Sequence, residues 1–219
     1  MISPYGLKFI IPGIIVTAVV FLWAALTGTA VVFVFSAFFW IVILFLLFFY
    51  RNPYRNIPHD DSLVLSTADG KVLAVEDIEH DYIGGKGKKV SIFLSLLDVH
   101  INRIPAAGEL DYIKYRPGKF HRAFDAAASE SNECIEIGLK RRECKIIFRQ
   151  IAGILARRIE CTSRPHQKVH AGQVYGMIHF GSRAELFLPE NVRVMVKKGD
   201  RVRAGETIVG RIGNKEVNQ

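Results

Sequence analysis

Between Lys8 and Arg51 the chain has no charged side chain, an uninterrupted run of 42 residues. One helix crosses a bilayer with about 20 apolar residues, so the run is long enough for two. Thr27-Gly28-Thr29 interrupts it near the middle, and glycine is a natural turn residue between helices. Segments 7–26 and 30–49 each have spanning length, which predicts a transmembrane helical hairpin with both ends on one side. A signal peptide fits poorly, because the run is too long and lacks a small-residue cleavage site. Lys8, Arg51 and Arg55 flank the hairpin, and basic flanks on one side predict a cell-membrane protein with that side cytoplasmic. A hairpin that dips in without crossing is the rival geometry, left open by Pro12 and by the aromatics between Phe33 and Phe49.

Removing residues 1–50 removes one lysine and no acid, so residues 51–219 carry 28 basic and 21 acidic groups. That is a soluble composition, and it predicts a membrane anchor over 1–50 followed by one domain over 51–219. A wholly soluble protein and a polytopic transporter are both excluded. The excess of positive charge suits an anionic lipid surface, and no nucleic-acid motif accompanies it. Cys134, Cys144 and Cys161 form neither an even set nor a C-x-x-C pair. They read as reduced thiols, with no disulfide framework and no metal site.

The second segment reads as mainly β. Apolar or alternating runs recur at 71–78, 90–96, 144–151, 154–159, 176–180, 184–188, 192–196 and 207–209, separated by glycine turns. Residues 119–133 read as a loop or short helix. Many short strands with such turns predict a barrel or sandwich. The tail, with Lys198-Gly199-Asp200 and Ala204-Gly205-Glu206 turns, is similar to half of a lipoyl-type hammerhead, and Ala68-Asp69-Gly70-Lys71-Val72 is similar to its other half. Carrier domains of that kind display a modifiable lysine at a hairpin tip, in a motif that is absent here.

The chemistry concentrates in His179-Phe180-Gly181-Ser182-Arg183-Ala184-Glu185. Glycine before serine tolerates strained backbone and lets the hydroxyl approach the preceding carbonyl. A serine so placed can attack its own upstream peptide bond to give an ester. β-Elimination then splits the chain, and the resulting dehydroalanine hydrolyses to a pyruvoyl group. Alone, Gly-Ser is ordinarily a turn. Four further strings accompany it in order: Thr67-Ala68-Asp69-Gly70-Lys71-Val72, Leu96-Leu97-Asp98-Val99-His100-Ile101-Asn102-Arg103-Ile104-Pro105, Pro117-Gly118-Lys119-Phe120 and Glu130-Ser131-Asn132-Glu133.

Together the five strings resemble the phosphatidylserine decarboxylases in their short form with an N-terminal membrane hairpin, over roughly residues 60–212. The resemblance implies self-cleavage between Gly181 and Ser182 into chains 1–181 and 182–219 that stay associated. It implies a covalent pyruvoyl cofactor derived from Ser182, whose ketone would take the amine of a phospholipid serine and act as an electron sink for decarboxylation. It implies His100 as general acid, oriented by Asp98, and Asp69 as a helper in self-cleavage. Arg103 and Arg183 are candidates for the lipid phosphate, since an Arg fork matches phosphate oxygens. His179, two residues before the cleavage point, could assist or simply pack. Two positions depart from the family pattern. Arg183 follows the serine where Thr or Ser is common, and Arg103 stands where a second histidine is common. A relay through a second histidine therefore does not carry over, and His100 is the histidine left for that task. The alternatives are a decarboxylase of an archaeal-type ether lipid with the same serine head, and a membrane-anchored lipoyl-like adaptor without enzymatic activity. Homo-oligomerisation is left open.

Overall fold

The computed structural model describes residues 1–125, 128–154, 158–179 and 181–213. The chain divides into two compact units, Met1–Tyr54 and Arg55–Gln219.

The first unit is a pair of helices, α1 (Pro4–Thr27) and α2 (Ala30–Phe49). Ser3 caps α1 by accepting a hydrogen bond from the Tyr5 N–H, and Pro4 occupies the first turn, where no amide partner is needed. Gly28 ends α1 in the left-handed region at φ 66°, and Thr29 restarts the chain as α2. The helices run antiparallel: Ile2 pairs with Arg51 across the open end, and Phe9 stacks on Tyr50. Most of their large apolar side chains, including Trp23 and Phe35, are exposed. Exposed apolar surface of that extent over two helices of spanning length is what a bilayer covers.

The second unit is mainly β. Its large sheet is antiparallel throughout and runs in the order β13 (Arg201–Val202), β2 (Gly70–His80), β3 (Gly85–Leu94), β11 (Ser182–Pro189), β7 (Lys145–Ile151), β6 (Cys134–Lys140), β5 (Gly108–Arg116), β9 (Lys168–Val169). Two three-stranded sheets complete it: β1 (Leu63–Leu65), β14 (Ile208–Ile212) and β12 (Val192–Val194); and β4 (Ile101–Arg103), β10 (Val174–Ile178) and β8 (Ile159–Cys161). The sheet curls around a core that includes Val72, Val90, Ile92, Leu94, Ile137, Phe148, Tyr175, Ala184, Leu186 and Leu188. The two stretches read as halves of a hammerhead do pair, Arg201 with Lys71 and Val202 with Gly70.

The short strands β1, β4 and β9 and the longer β5 and β6 escaped the sequence reading. In β5 and β6 charged residues alternate with apolar ones, as in Glu109-Leu110 and Glu136-Ile137, which is a period-2 signal that the sequence reading passed over; in β5 a register shift between Leu110 and Tyr112 interrupts it. The strand expected at 154–159 falls partly on 155–157, outside the described residues, and β8 begins only at Ile159. Phe180, the end of the expected 176–180 strand, also lies outside them. Within 119–133 a four-residue helix, α3 (Ala128–Ser131), follows a loop.

β11 is buried along its whole length, with β3 on one side and β7 on the other. Ser182, Ala184, Leu186 and Leu188 share one face by strand alternation. On the other face lies a buried polar cluster. Glu185 sits 2.9 Å from the Arg183 Nε and 3.7 Å from Arg149 Nη1, and Ser129 Oγ donates to it at 3.0 Å. Such a cluster is stable only while every member is satisfied; losing one partner of a buried ion pair costs about 3–5 kcal/mol.

Candidate active site

The fold gathers the five sequence strings at one end of the large sheet. Lys71 of β2 lies opposite Phe93 of β3, and Ser182 of β11 lies opposite Leu94. The Asp69 turn, the end of β3 and the start of β11 are therefore adjacent. From β3 the chain turns through 95–99 into β4, which is bound on both sides. Arg103 N–H donates to the Thr67 carbonyl at 3.0 Å, and Ile178 N–H of β10 donates to the His100 carbonyl at 3.2 Å. The remaining two strings meet each other: Lys119 N–H donates to Ser131 O at 2.6 Å, and Glu133 N–H to Lys119 O at 3.1 Å. Ala152 N–H then donates to Glu133 O at 2.9 Å, which ties this pair to the end of β7.

Ser182 is fully buried, and its Oγ has no hydrogen-bond partner among the described residues. A buried hydroxyl without a partner costs free energy. Gly181 beside it holds φ at 64°, a left-handed backbone that a side chain would disfavour. Its carbonyl oxygen packs directly on Gly153: a Cβ added at Gly153 would sit 1.6 Å from it. The carbonyl before Ser182 is thus fixed by a backbone surface that only glycine provides. Asn132, also fully buried, holds that surface in place. Its side-chain N–H groups donate to Ala152 O at 2.8 Å and to His121 O at 2.9 Å, while its Oδ1 accepts from His121 N–H at 2.8 Å. Gly153→Ala should slow any reaction at the Gly181 carbonyl roughly 10- to 100-fold, since overpacking costs about 1–3 kcal/mol. A time course of chain cleavage on a denaturing gel measures this, and wild-type kinetics would refute it.

His100 is fully buried. Its Nδ1 lies 2.9 Å from the Asp98 carbonyl oxygen. A carbonyl only accepts, so Nδ1 carries a proton, which leaves Nε2 as the ring nitrogen that can take up or give one. Asp98 orients His100, but through its main chain. Its carboxylate instead accepts from Ser95 N–H at 2.8 Å and Ser95 Oγ at 2.6 Å, and pairs with Arg201 at 3.1 Å, which closes the 95–98 turn. A row of amides braces the same region: Gln150 Nε2 donates to Asn102 Oδ1 at 2.9 Å, and Asn102 Nδ2 to Thr67 O at 3.3 Å.

Asp69 is buried and gripped by Arg55, whose Nη2 lies 3.0 and 2.8 Å from its two oxygens; Ala204 N–H adds a third bond at 2.8 Å. Burial pushes the Asp69 carboxyl up from its usual range, against the downward pull of the Ala204 amide and the Arg55 charge. A raised carboxyl accepts and returns protons more readily near neutral pH. Arg55, counted from sequence as a membrane flank, is thus an internal ion-pair partner of Asp69 and, at 3.3 Å, of Glu206. Arg103 is half-buried and donates from Nη1 to Gly172 O at 2.9 Å. Arg183 is not a surface cation: besides Glu185 it bonds Ser91 Oγ at 2.7 Å and Asp125 O at 3.3 Å. Its position in β11 on the face opposite Ser182 explains this. His179 is buried with Nε2 3.5 Å from Glu160.

The sequence reading passed over Gly153 and Gln150, took Arg55 only as a membrane flank, and quoted Asn132 and Asn102 without assigning them a part. The only signal for Gly153 was a glycine placed just beyond an apolar strand, which by itself marks a turn.

Comparison with known proteins bears on what this site does. The family model described as phosphatidylserine decarboxylase matches residues 42–210. The chain is 45% identical over 170 residues to the phosphatidylserine decarboxylase proenzyme of Chlorobium phaeobacteroides strain DSM 266, covering 78% of this chain and 80% of that one. It is 41% identical over 214 residues to the protein of the same name from strain BS1, covering 96% and 99%. To the like-named protein of Carboxydothermus hydrogenoformans it is 47% identical over 174 residues, covering 78% and 82%.

Proposed function

The chain belongs to the phosphatidylserine decarboxylase family, and on that premise we propose that it converts phosphatidylserine to phosphatidylethanolamine with a pyruvoyl group made from its own Ser182. The observation that carries this is the Gly181-Ser182 junction: a left-handed glycine whose carbonyl is pinned on Gly153, followed by a buried hydroxyl without a hydrogen-bond partner among the described residues. Nothing in the packing of β11 requires a polar atom at that position.

In maturation, Ser182 Oγ attacks the Gly181 carbonyl carbon, and the peptide nitrogen leaves with a proton, giving an ester. Loss of the Ser182 Cα proton then expels the Gly181 carboxylate and separates 1–181 from 182–219. The dehydroalanine left on the small chain hydrolyses with loss of ammonia to the pyruvoyl group. His100 Nε2, the ring nitrogen opposite the one held by the Asp98 carbonyl, takes the hydroxyl proton. Asp69, on the neighbouring turn, accepts or orients a proton in the same sequence, its position held by Arg55. The cut leaves the fold intact, because the small chain supplies β11, flanked on both sides by strands of the large chain, and also β12, β13 and β14.

When formed, the pyruvoyl group supplies a ketone that condenses with the substrate amine and takes up the electron pair released with CO₂. His100 donates the proton to the substrate Cα. Of the two arginines singled out from sequence, Arg103 is the one assigned to the head-group phosphate, since the Arg183 guanidinium is committed to Glu185 and Ser91. The adaptor alternative falls with the family assignment. A denaturing gel and an intact mass of the small chain test the proposal: two chains, the smaller starting at residue 182, are expected, and a single fully active chain would refute it.

The membrane unit is read with both ends cytoplasmic, from the Lys8 and Arg51 flanks. A reporter fused after Gln219 should stay inaccessible from outside intact cells, and labelling from the outside would overturn that orientation.

A further inference from the structure

Beside the cleavage junction lies an apolar cavity of about 470 Å³, lined by Phe93, Leu96, Leu97, Phe124, Ile154 and Gly181. Phe93 and Phe124 meet edge to face across it, with ring centroids 6.0 Å apart. Its rim is unusual for a soluble surface: Leu96 is 39% exposed, Leu97 69%, Phe124 54% and Ile154 54%. Four large apolar side chains from three separate segments, turned outward around one opening, mark an interaction surface.

Charge says what covers it. Arg122 lines the same cavity and is exposed. Exposed Lys71 pairs with Phe93 on β3, and exposed Arg201 pairs with Lys71 and bonds Asp98 in the Leu96–Leu97 turn. The Asp98 charge is offset there by Arg201. Arg122, Lys71 and Arg201 outnumber exposed Asp125 beside Phe124, and an apolar tip with cations around it is the chemistry that enters the headgroup boundary of an anionic leaflet.

We infer that the Leu96–Leu97 turn, Phe124 and Ile154 form a lipid-penetrating rim in the second unit, seated in an anionic phospholipid leaflet, so that substrate reaches residues 181–182 from the lipid phase. This deepens the decarboxylase reading and rests on it for the purpose of the rim, but the contact with lipid can be measured without any catalysis. Leu96 and Leu97 sit on a turn closed by the Asp98 carboxylate, so they are presented on a rigid support.

The test uses the full chain in lipid nanodiscs. Both tryptophans, Trp23 and Trp40, lie in the helices; replacing them (Trp23→Phe, Trp40→Phe) gives a silent background. In it, a Leu97→Trp variant is compared with Glu79→Trp, an exposed position eight residues from Lys71 along β2 and so roughly 25 Å away. With bromolipids in discs containing phosphatidylglycerol, the Leu97→Trp emission should be quenched at least twofold more than the Glu79→Trp emission, and the difference should shrink in discs of phosphatidylcholine alone. Equal quenching overturns the proposal, whether the position stays in water or is covered by a second copy or another segment of this chain. A Leu97→Asp variant should still cut itself but decarboxylate bilayer phosphatidylserine about tenfold or more slowly. Wild-type turnover on bilayers would overturn the functional half. Should Leu97→Asp remain uncut, the quenching comparison decides alone, and a chain that quenches as expected but never decarboxylates would fail the decarboxylase reading while keeping the rim.

Discussion

Ser182→Ala should leave a single 219-residue chain with no decarboxylase activity. The substitution removes the one oxygen that can attack the Gly181 carbonyl, and it costs little else. The position is buried on the core side of β11, and the hydroxyl has no hydrogen-bond partner among the described residues. A buried hydroxyl without a partner destabilises the fold, so alanine should match or slightly exceed the wild-type thermal stability. Loss of cutting together with retained stability separates chemistry from folding. Ser182→Cys keeps a nucleophile and should cut slowly. In the wild type, the 38-residue fragment 182–219 should resist N-terminal sequencing, because a pyruvoyl group has no amine, and cyanoborohydride with an amine should trap it. A Ser182→Ala chain that still cuts at this junction would end the self-cleavage reading.

His100→Ala should lower decarboxylation by about 10²–10⁴, the usual contribution of one general acid or base. The rate is to be expressed per mole of small chain, so that failure to mature is counted apart from slow turnover. The geometry sharpens the expectation. His100 is aligned by the Asp98 carbonyl rather than its carboxylate, so Asp98→Asn should keep the alignment of the ring and change the rate far less than His100→Ala. Its effect should come through the 95–98 turn and Arg201. An Asp98→Asn loss as deep as that of His100→Ala would mean that the carboxylate acts directly, and wild-type turnover in His100→Ala would remove His100 from the site.

Much of this was legible before any coordinates. The absence of charge from Phe9 to Tyr50 points to membrane helices, because the run is long enough for two apolar spans. Gly28 marks the break and the structure uses it as the helix cap. The Gly181-Ser182 pair, Asp69 and His100 could be singled out because the five strings that carry them, in that order, resemble the phosphatidylserine decarboxylases. What could not be read was which way a side chain points and which atom it uses. Arg183 looked available for phosphate until β11 proved central and buried on both faces, with Glu185 two residues on. Asp98 looked like a carboxylate partner, and Arg55 looked like a membrane flank.

The division follows from the range of the forces involved. Hydrophobic content, helix caps and glycine conformations are properties of a residue and its near neighbours, and so the sequence alone determined the two apolar helices joined at Gly28 and the mainly β character of the second segment, while the resemblance of its five strings singled out Ser182 as the candidate nucleophile. The reactive setting depends on contacts across long stretches of chain. Gly153 meets Gly181, Asn132 anchors Ala152, Ala204 and Arg55 grip Asp69, and Leu94 lies against Ser182 only because eight strands settle into one register. A shift of one residue in that register would turn Ser182 to the opposite face of β11. Only the tertiary structure decides it, because strand pairing is fixed jointly by every pair in the sheet.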